Sequence, residues 1–177
     1  MNVRQLRRPD AGAYQSLRLR ALRENPEAFS ASYEDEVNRA IDDVAMRVEP
    51  ARDGSVCMFG AFENNQLAGF VAVIHPQRAK LRHAVELAGM YIAPESRRRG
   101  LGAALLQATI SHVRSLDGVR LIRLGVNETS MAAKALYKSA GFECCGVEPD
   151  SLNINGTFYG EERYILQLAI GTTGWNH

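Results

Sequence analysis

Three arginines and two glycines stand together in the stretch Arg97-Arg98-Arg99-Gly100-Leu101-Gly102. An apolar run typical of a β-strand ends at Pro94, and an uninterrupted helical segment begins at Ala103. The first turn of a helix carries backbone N–H groups without intrahelical partners, and the helix dipole favours negative charge there. Glycine lets a ligand approach the backbone closely because it has no Cβ. The stretch is therefore predicted to hold phosphate groups.

On its own, this arginine-glycine stretch does not identify the phosphate-bearing molecule. Dinucleotide-binding turns need a third glycine at a fixed spacing and a downstream acidic residue for the ribose, and both are missing here. A P-loop is excluded because no Gly-Lys-Ser/Thr sequence follows. One basic tripeptide in a chain of net charge +1, without interleaved aromatic residues, gives poor support for binding DNA or RNA. A solvated basic turn is the remaining alternative.

A single carboxylate, Glu86, interrupts an otherwise apolar segment between His83 and Pro94. A lone carboxylate in a buried strand is costly unless it has a partner, water or a function. Burial would raise its pKa and suit the group to accept a proton, directly or through water. Glu86 is therefore a candidate general base, and a structural carboxylate that orients a substrate or a water molecule is the alternative.

The composition is that of a globular protein, with 46% hydrophobic and 23% charged residues among 177. We expect one domain over residues 1–170 and a frayed tail over residues 171–177. No apolar run approaches the ~20 residues that span a bilayer, and we expect no signal peptide. The odd number of cysteines and the scattered histidines indicate reduced thiols, a cytoplasmic location and no metal site.

The secondary-structure pattern places these residues in a mixed α/β chain. Strands are predicted at residues 3–6, 56–62, 67–74, 83–92, 119–126, 142–147 and 158–168. Helices are predicted at residues 9–25, 30–47, 100–116 and 130–140. A central run of strands with helices on either side favours an α/β or α+β domain of three layers.

Two sequence signatures resemble those of one family. The pattern Arg97-x-x-Gly100-x-Gly102, after a strand and before a helix, resembles the acyl-CoA-binding motif of the GNAT family of N-acetyltransferases. Downstream, Val126-Asn127, Ala133, Leu136-Tyr137 and Gly141-Phe142 resemble the second signature of that family. The resemblance implies a mixed, mostly antiparallel sheet of about seven strands flanked by about four helices. It also implies acetyl-CoA as co-substrate and a primary amine as acceptor, with direct attack in a ternary complex.

The resemblance also implies which residues hold acetyl-CoA. The arginine-glycine loop would bind the pyrophosphate through its backbone N–H groups, with Arg97, Arg98, Arg99, Gly100, Leu101, Gly102 and Ala103. The backbone of Met90, Tyr91 and Ile92 would pair with the pantetheine arm like an added strand, and an N–H at or near Met90 would polarise the thioester carbonyl. Gly89 either marks a bulge that splays this strand from the next or relieves packing.

Further roles follow from the resemblance for residues outside the loop. Tyr137 matches the family's tyrosine and would supply a proton to the leaving thiolate; a core tyrosine is the alternative. Glu86 stands eleven residues before Arg97, the offset of the base glutamate in the histone-acetylating branch. Asn127 is a candidate contact to pantetheine or substrate. Ser130 stands where many relatives have asparagine, so it is a weaker candidate contact that could instead cap the helix.

The acceptor is not defined by the sequence. It is expected to enter over the first two helices and the last strands, whose acids could attract a cationic amine or form a solvated face: Glu34, Asp35, Glu36, Glu148, Asp150, Glu161 and Glu162. The segments 17–20 and 26–29 resemble a broad bacterial branch that does not define a substrate. A non-catalytic acyl-CoA sensor or partner subunit is the alternative function. A homodimer formed through the last strands is a further option.

Overall fold

The computed structural model describes residues 1–168, so the tail predicted at residues 171–177 lies outside the described residues. Within them, seven strands form one sheet in the order β1-β2-β3-β4-β5-β7-β6. The strands are β1 Asn2–Gln5, β2 Val56–Glu63, β3 Gln66–Ile74, β4 Ala84–Ile92, β5 Leu121–Asn127, β6 Glu143–Ile154 and β7 Thr157–Gln167. The helices are α1 Ala11–Glu24, α2 Tyr33–Glu36, α3 Ile41–Val48, α4 Leu101–Arg114 and α5 Met131–Ser139.

The three-layer, mostly antiparallel fold predicted from the sequence is confirmed. Two buried apolar clusters lie on opposite faces of the sheet, one with α4 and α5 and the other with α1 and α3. The only parallel pair among the described strands is β4 with β5. No helix in residues 1–168 is long and apolar enough to cross a membrane.

The parallel pair opens toward one end of the sheet. Strands β4 and β5 are paired from Ala84 with Leu121 to Leu87 with Leu124, and no pairing follows beyond that point. Near this end, the pairing of β4 with β3 shifts register between Ala88 and Tyr91, and Gly89 has a φ of +59°. Gly89 therefore lies in a bulge, the first of the two roles considered from the sequence, because the left-handed conformation is accessible to glycine at little cost.

The single second helix predicted at residues 30–47 is wrong, because the chain forms two shorter helices there. Ser32 caps α2 through its hydroxyl, which accepts the Asp35 N–H, and α2 ends at Glu36. The Glu36 carbonyl accepts the side chain of Gln15, and its carboxylate accepts Arg39 and Arg47. The break after Glu36 lets the chain turn, so that Arg47 of α3 returns to this buried carboxylate.

Strand β6 is longer than the six residues predicted at 142–147, since it continues to Ile154. Proline cannot donate to a strand ladder, and Pro149 lies within this longer strand. The structure accommodates it with a register shift between Glu148 and Leu152, where Asp150 has a φ of +51°. This irregular segment brings Ser151 and Leu152 to the cavity described next.

Candidate active site

A cavity of about 580 Å³ lies where β4 and β5 splay apart. Five of the predicted catalytic and cofactor-binding residues line it together: Glu86, Met90, Asn127, Ser130 and Tyr137. Tyr91, Ile92 and the arginine-glycine loop are not among its lining residues. The structure thus places the predicted catalytic residues in one cavity, and the loop predicted to hold phosphate lies outside its lining.

The arginine-glycine loop adjoins this cavity through Gly102. A Cβ added there would lie 3.4 Å from Leu136 Cδ2 and 3.9 Å from Met90 Cε, and Met90 lines the cavity. Two residues of the loop adopt the left-handed backbone conformation, Arg98 with a φ of +62° and Gly100 with a φ of +80°. Gly102 is therefore the close-packed link between the loop and the splayed strand.

The backbone N–H groups of the loop are free to bind a ligand. Within residues 1–168, no backbone carbonyl accepts the N–H groups of residues 98–103, and the first such bond runs from Ala104 N–H to Gly100 at 2.9 Å. These N–H groups surround the N-terminus of α4, where the helix dipole adds positive potential. The loop can therefore hold an anion, as its sequence predicts.

The three arginines of the loop have different surroundings. Arg97 donates through Nε to the Ile92 carbonyl at 2.9 Å and through Nη2 to Asn25 Oδ1 at 3.1 Å. Its guanidinium is thus occupied in tying the loop to the end of β4. Arg98 and Arg99 are exposed, and Arg99 lies 3.9 Å from Glu63 Oε1. Arg98 and Arg99 are therefore the arginines that can reach phosphate groups.

Asn127 presents an unpartnered donor to the cavity. Its Oδ1 accepts the Thr129 N–H at 2.9 Å and the Thr129 hydroxyl at 2.7 Å, which fixes the orientation of the amide. Its Nδ2 is buried and has no hydrogen-bond partner within the described residues. Because an unsatisfied buried donor costs about 1–3 kcal/mol, this group is suited to a ligand carbonyl.

Ser130 stands at the N-cap position of α5, but its side chain makes no capping hydrogen bond. The capping role considered from the sequence is therefore not seen, and the hydroxyl remains available to the cavity that Ser130 lines.

Tyr137 is buried in α5, with 7% of its surface exposed. Burial raises the pKa of its phenol to about 12, and no hydrogen bond contributes to the shift. Its ring packs edge-on against Phe142, with centroids 5.8 Å apart. The phenol is thus held protonated at the cavity wall, which is the state that a proton donor needs.

Glu86 differs from the expectation in one respect. The sequence suggested a buried carboxylate, but the structure exposes Glu86 on the cavity side of β4. The apolar neighbours that suggested burial, Val85 and Leu87, face the opposite side of the sheet and are buried there. The expected burial of Glu86 is therefore wrong, although the side chain remains at the cavity.

The predicted acidic surface contributes one carboxylate to the cavity, Glu161. Glu161 lies against Gly125, where an added Cβ would collide with the carboxylate, and it pairs with Arg163 at 3.0 Å. Glu36 is buried among arginines, and Glu162 accepts Lys134 and the Tyr164 hydroxyl. Of the seven acids expected to attract a cationic amine, Glu161 is therefore the one that lines the cavity.

Several cavity residues had no distinguishing signal in the sequence. Tyr14, Arg18 and Arg47 line the cavity from the N-terminal helices, and Arg163 lines it from β7. Their positions in the sequence are far from the two signatures. One signal was present in the sequence. Arg18 is a basic residue on the face of α1 whose other buried residues are mostly apolar.

Residues 15–142 match the profile of the Acetyltransferase (GNAT) family. The chain belongs to the GNAT family of acetyltransferases. The two signatures seen in the sequence lie within this match, so the resemblance stated from them is confirmed. Within the GNAT fold described here, the loop before α4 lies beside the gap between β4 and β5.

The curated relatives that this GNAT chain matches are longer proteins. A mycothiol acetyltransferase from Geodermatophilus obscurus is 34% identical over 124 residues, which cover 68% of this chain and 39% of that protein. The chain spans about two-fifths of the length of such relatives.

Solved structures of similar fold cover nearly the whole GNAT chain. A GNAT-family acetyltransferase from Streptococcus pneumoniae aligns with a TM-score of 0.82 at 22% identity, covering 94% of this chain and 99% of that one. The protein yncA from Salmonella typhimurium, solved with its cofactor acetyl-CoA, aligns with a TM-score of 0.81 at 21% identity, covering 98% and 97%. At these identities the comparison establishes the fold.

Proposed function

We propose that this chain is an N-acetyltransferase that moves an acetyl group from acetyl-CoA to a primary amine by direct attack in a ternary complex. The observation that carries the proposal is the gap between β4 and β5. In residues 1–168, it joins a helix N-terminus with free N–H groups to a cavity that contains the unpartnered Nδ2 of Asn127 and the buried Tyr137 phenol.

The surroundings of the gap fit acetyl-CoA in three places. The free N–H groups of residues 98–103 would bind the pyrophosphate, with Arg98 and Arg99 adding charge. Among the described residues, residues 90–92 of β4 have no strand partner on the β5 side, and they would pair with the pantetheine amides. Asn127 Nδ2 would donate to a pantetheine carbonyl, and Ser130 lies on the same wall.

Acetyl-CoA, when bound, supplies a thioester whose acetyl carbon accepts the amine. The N–H of Met90 or a neighbour would donate to the thioester carbonyl oxygen, favouring the charge that develops there. Tyr137 would pass its phenolic proton to the departing sulfur. Glu86 would accept the proton that the amine nitrogen loses, directly or through water, since its exposed carboxylate faces the cavity.

Replacing Asn127 with aspartate tests the contact to pantetheine. The Oδ1 acceptor for Thr129 is retained, but the Nδ2 donor becomes a carboxylate oxygen that repels a ligand carbonyl. We expect the KM for acetyl-CoA to rise about 10-fold or more, because a hydrogen bond is lost. Asn153→Asp is a matched control, since Asn153 Oδ1 accepts Gly156 N–H in an exposed turn. Equal KM values for the two variants would remove Asn127 from the donor site.

Replacing Glu86 with glutamine tests the base role. The amide cannot accept the amine proton, but water reaches this exposed position and can replace the carboxylate in part. We therefore expect kcat to fall about 10-fold at pH 7, with an unchanged KM for acetyl-CoA. The loss should shrink at higher pH, where more of the amine is neutral before binding. A pH-independent loss, or none, would assign Glu86 a structural role.

A thiol-release assay tests the function as a whole. The purified chain is incubated with acetyl-CoA and a panel of polyamines, amino acids, aminoglycosides and N-terminal peptides, and free CoA is measured. Amine-dependent release supports the proposal. Tight acetyl-CoA binding, seen as a higher melting temperature, with no release for any acceptor would instead support an acyl-CoA sensor or partner subunit.

We also propose a cytoplasmic location and pairing of two copies along β6. Cys144 and Cys145 are exposed free thiols, which suit a reducing compartment and therefore support the cytoplasmic location.

The pairing of two copies is supported by the edge of the sheet. Strand β6 is an edge strand, and the last two strands expose Val147 and Phe158. Edge strands are templates for pairing with another chain. Sedimentation of the purified protein distinguishes a dimer from a monomer.

A further inference from the structure

Arg18 is a buried guanidinium at the cavity wall. It lies on α1 with 7% of its side chain exposed, and it lines the cavity. A Cβ added to Gly89 would lie 3.6 Å from Arg18 Nη1, so the guanidinium borders the bulge of β4. This places a positive charge beside the backbone that would receive the thioester.

The hydrogen-bonding capacity of Arg18 is left unused. Its Nε is buried without a partner within the described residues. Its nearest carboxylate oxygen is Glu36 Oε1, 3.9 Å from Nη2, which exceeds hydrogen-bond distance. Burial lowers the pKa of Arg18, because the charged form loses water, and the charges of Arg47 and Arg39 lower it further against the opposing effect of Glu36. A buried group in this state is suited to an anionic ligand.

Glu36 does not neutralise this region. Its single carboxylate accepts Arg47 through Oε1 at 2.7 Å and Arg39 through Oε2 at 2.9 Å, so both oxygens are engaged by other arginines. Three guanidinium groups thus share this carboxylate, and Glu27 adds one further carboxylate to the cavity lining, so positive charge remains in excess at this wall. The cavity carboxylate Glu161 does not offset it, because Glu161 pairs with Arg163.

The surroundings hold Arg18 in place rather than covering it. The Phe29 ring stacks on the guanidinium, with Arg18 Cζ 4.5 Å from the ring centroid. Tyr14, 2% exposed, lines the cavity next to it, and its phenol can donate a further hydrogen bond. A fixed, planar guanidinium with an adjacent hydroxyl is an arrangement suited to a carboxylate.

We propose that the acceptor of this enzyme is a free amino acid, whose carboxylate binds Arg18 while its amine faces the gap between β4 and β5. The proposal rests on the N-acetyltransferase function proposed above and names its substrate class. Arg18 borders the bulge at Gly89, and Glu86 lies three residues earlier on the same strand. The cavity therefore offers a positive group for the carboxylate and a negative one for the ammonium before it loses its proton.

The test compares three forms of each acceptor in the thiol-release assay. These are the twenty amino acids, their amides, and dipeptides in which glycine follows the same residue and moves the carboxylate away from the amine. We expect kcat/KM for the best amino acid to exceed that of its amide at least about 30-fold, because a charge-assisted contact is lost. Equal values for acid and amide, or a preference for the dipeptide, would overturn the proposal.

Variants of Arg18 locate the effect. Arg18→Met should lower kcat/KM for the amino acid about 30-fold and leave the amide unchanged, whereas Arg18→Lys should retain part of the preference. Arg20→Met is the matched control, since Arg20 lies on the same helix and binds Glu24 and Glu95 outside the cavity. A full preference for the acid in Arg18→Met would overturn the proposal. The acetyl-CoA-induced rise in melting temperature shows whether each variant is folded.

A binding measurement separates this proposal from the function on which it rests. With CoA present, N-acetylated amino acids should raise the melting temperature of the protein more than their amides do. If N-acetylated amino acids raise the melting temperature more than their amides do, but no amine is acetylated, the enzymatic function is rejected and the anion site is retained. Transfer to amines without any preference for a carboxylate would reject the anion site alone.

Discussion

Replacing Tyr137 with phenylalanine is expected to lower kcat by about 100- to 10,000-fold, the range that a general acid supplies. The affinity for acetyl-CoA should stay within about twofold, because the ring and its packing on Phe142 are retained. The physical reason lies in the product of the chemical step. The departing thiolate needs a proton, and the buried phenol of Tyr137 lines the cavity in which the thioester would lie.

The pH dependence gives this prediction a second readout. Burial raises the pKa of Tyr137 to about 12, so its proton is retained across the range in which the enzyme can be assayed. The neutral form of an acid is lost only as pH rises through its pKa, so kcat of the wild-type protein should show no fall from tyrosine ionisation between about pH 6 and 10. Single-turnover kinetics over this range measure the chemical step directly.

Tyr159→Phe is the matched control for Tyr137→Phe. Tyr159 lies on β7 outside the cavity, so its variant loses a hydroxyl without losing a donor to the sulfur. Wild-type turnover in both variants would remove Tyr137 from the mechanism. Loss of turnover in both would point to a general effect on the fold, which melting temperatures would reveal.

The parts of the fold that the sequence predicted well depend on local chemistry. Gly100 before a helical segment, Asn64-Asn65 between two apolar runs and Gly141 after α5 each adopt the left-handed backbone that such residues favour. The order of strands and helices followed from these signals. The split of the second helix did not, because it depends on Glu36 meeting Arg47 from a separate helix.

The site was predictable to the extent that its residues fall in contiguous signatures. Asn127 and Tyr137 belong to such a signature and reach the cavity. The surroundings of single side chains were not predictable, since they depend on which face of a strand meets a layer of helices. Glu86 is exposed for this reason, and Arg18 becomes a cavity residue only when α1 packs beside the bulge of β4.

Replacing Gly100 with valine is expected to weaken acetyl-CoA binding at least 100-fold. Gly100 has a φ of +80°, and a β-branched residue there is strained by about 1–2 kcal/mol. Relief of the strain rotates the backbone and turns the N–H groups at the start of α4 away from one another. Each charge-assisted hydrogen bond to phosphate is worth about 1.5–3 kcal/mol, so the loss of two accounts for the expected change. Calorimetric titration with acetyl-CoA measures it.

Gly118→Val separates this effect from a loss of stability. Gly118 has a φ of +75°, and within the described residues a Cβ added to Gly100 or Gly118 would have no atom within 4 Å beyond the adjacent residues of the chain. The two variants should therefore lose similar stability, but Gly118 lies in the turn after α4, at the other end of that helix from the loop. Normal acetyl-CoA affinity in Gly100→Val would exclude the loop as the phosphate site. Weak binding in both variants would trace the effect to stability, because the strain is the one feature they share.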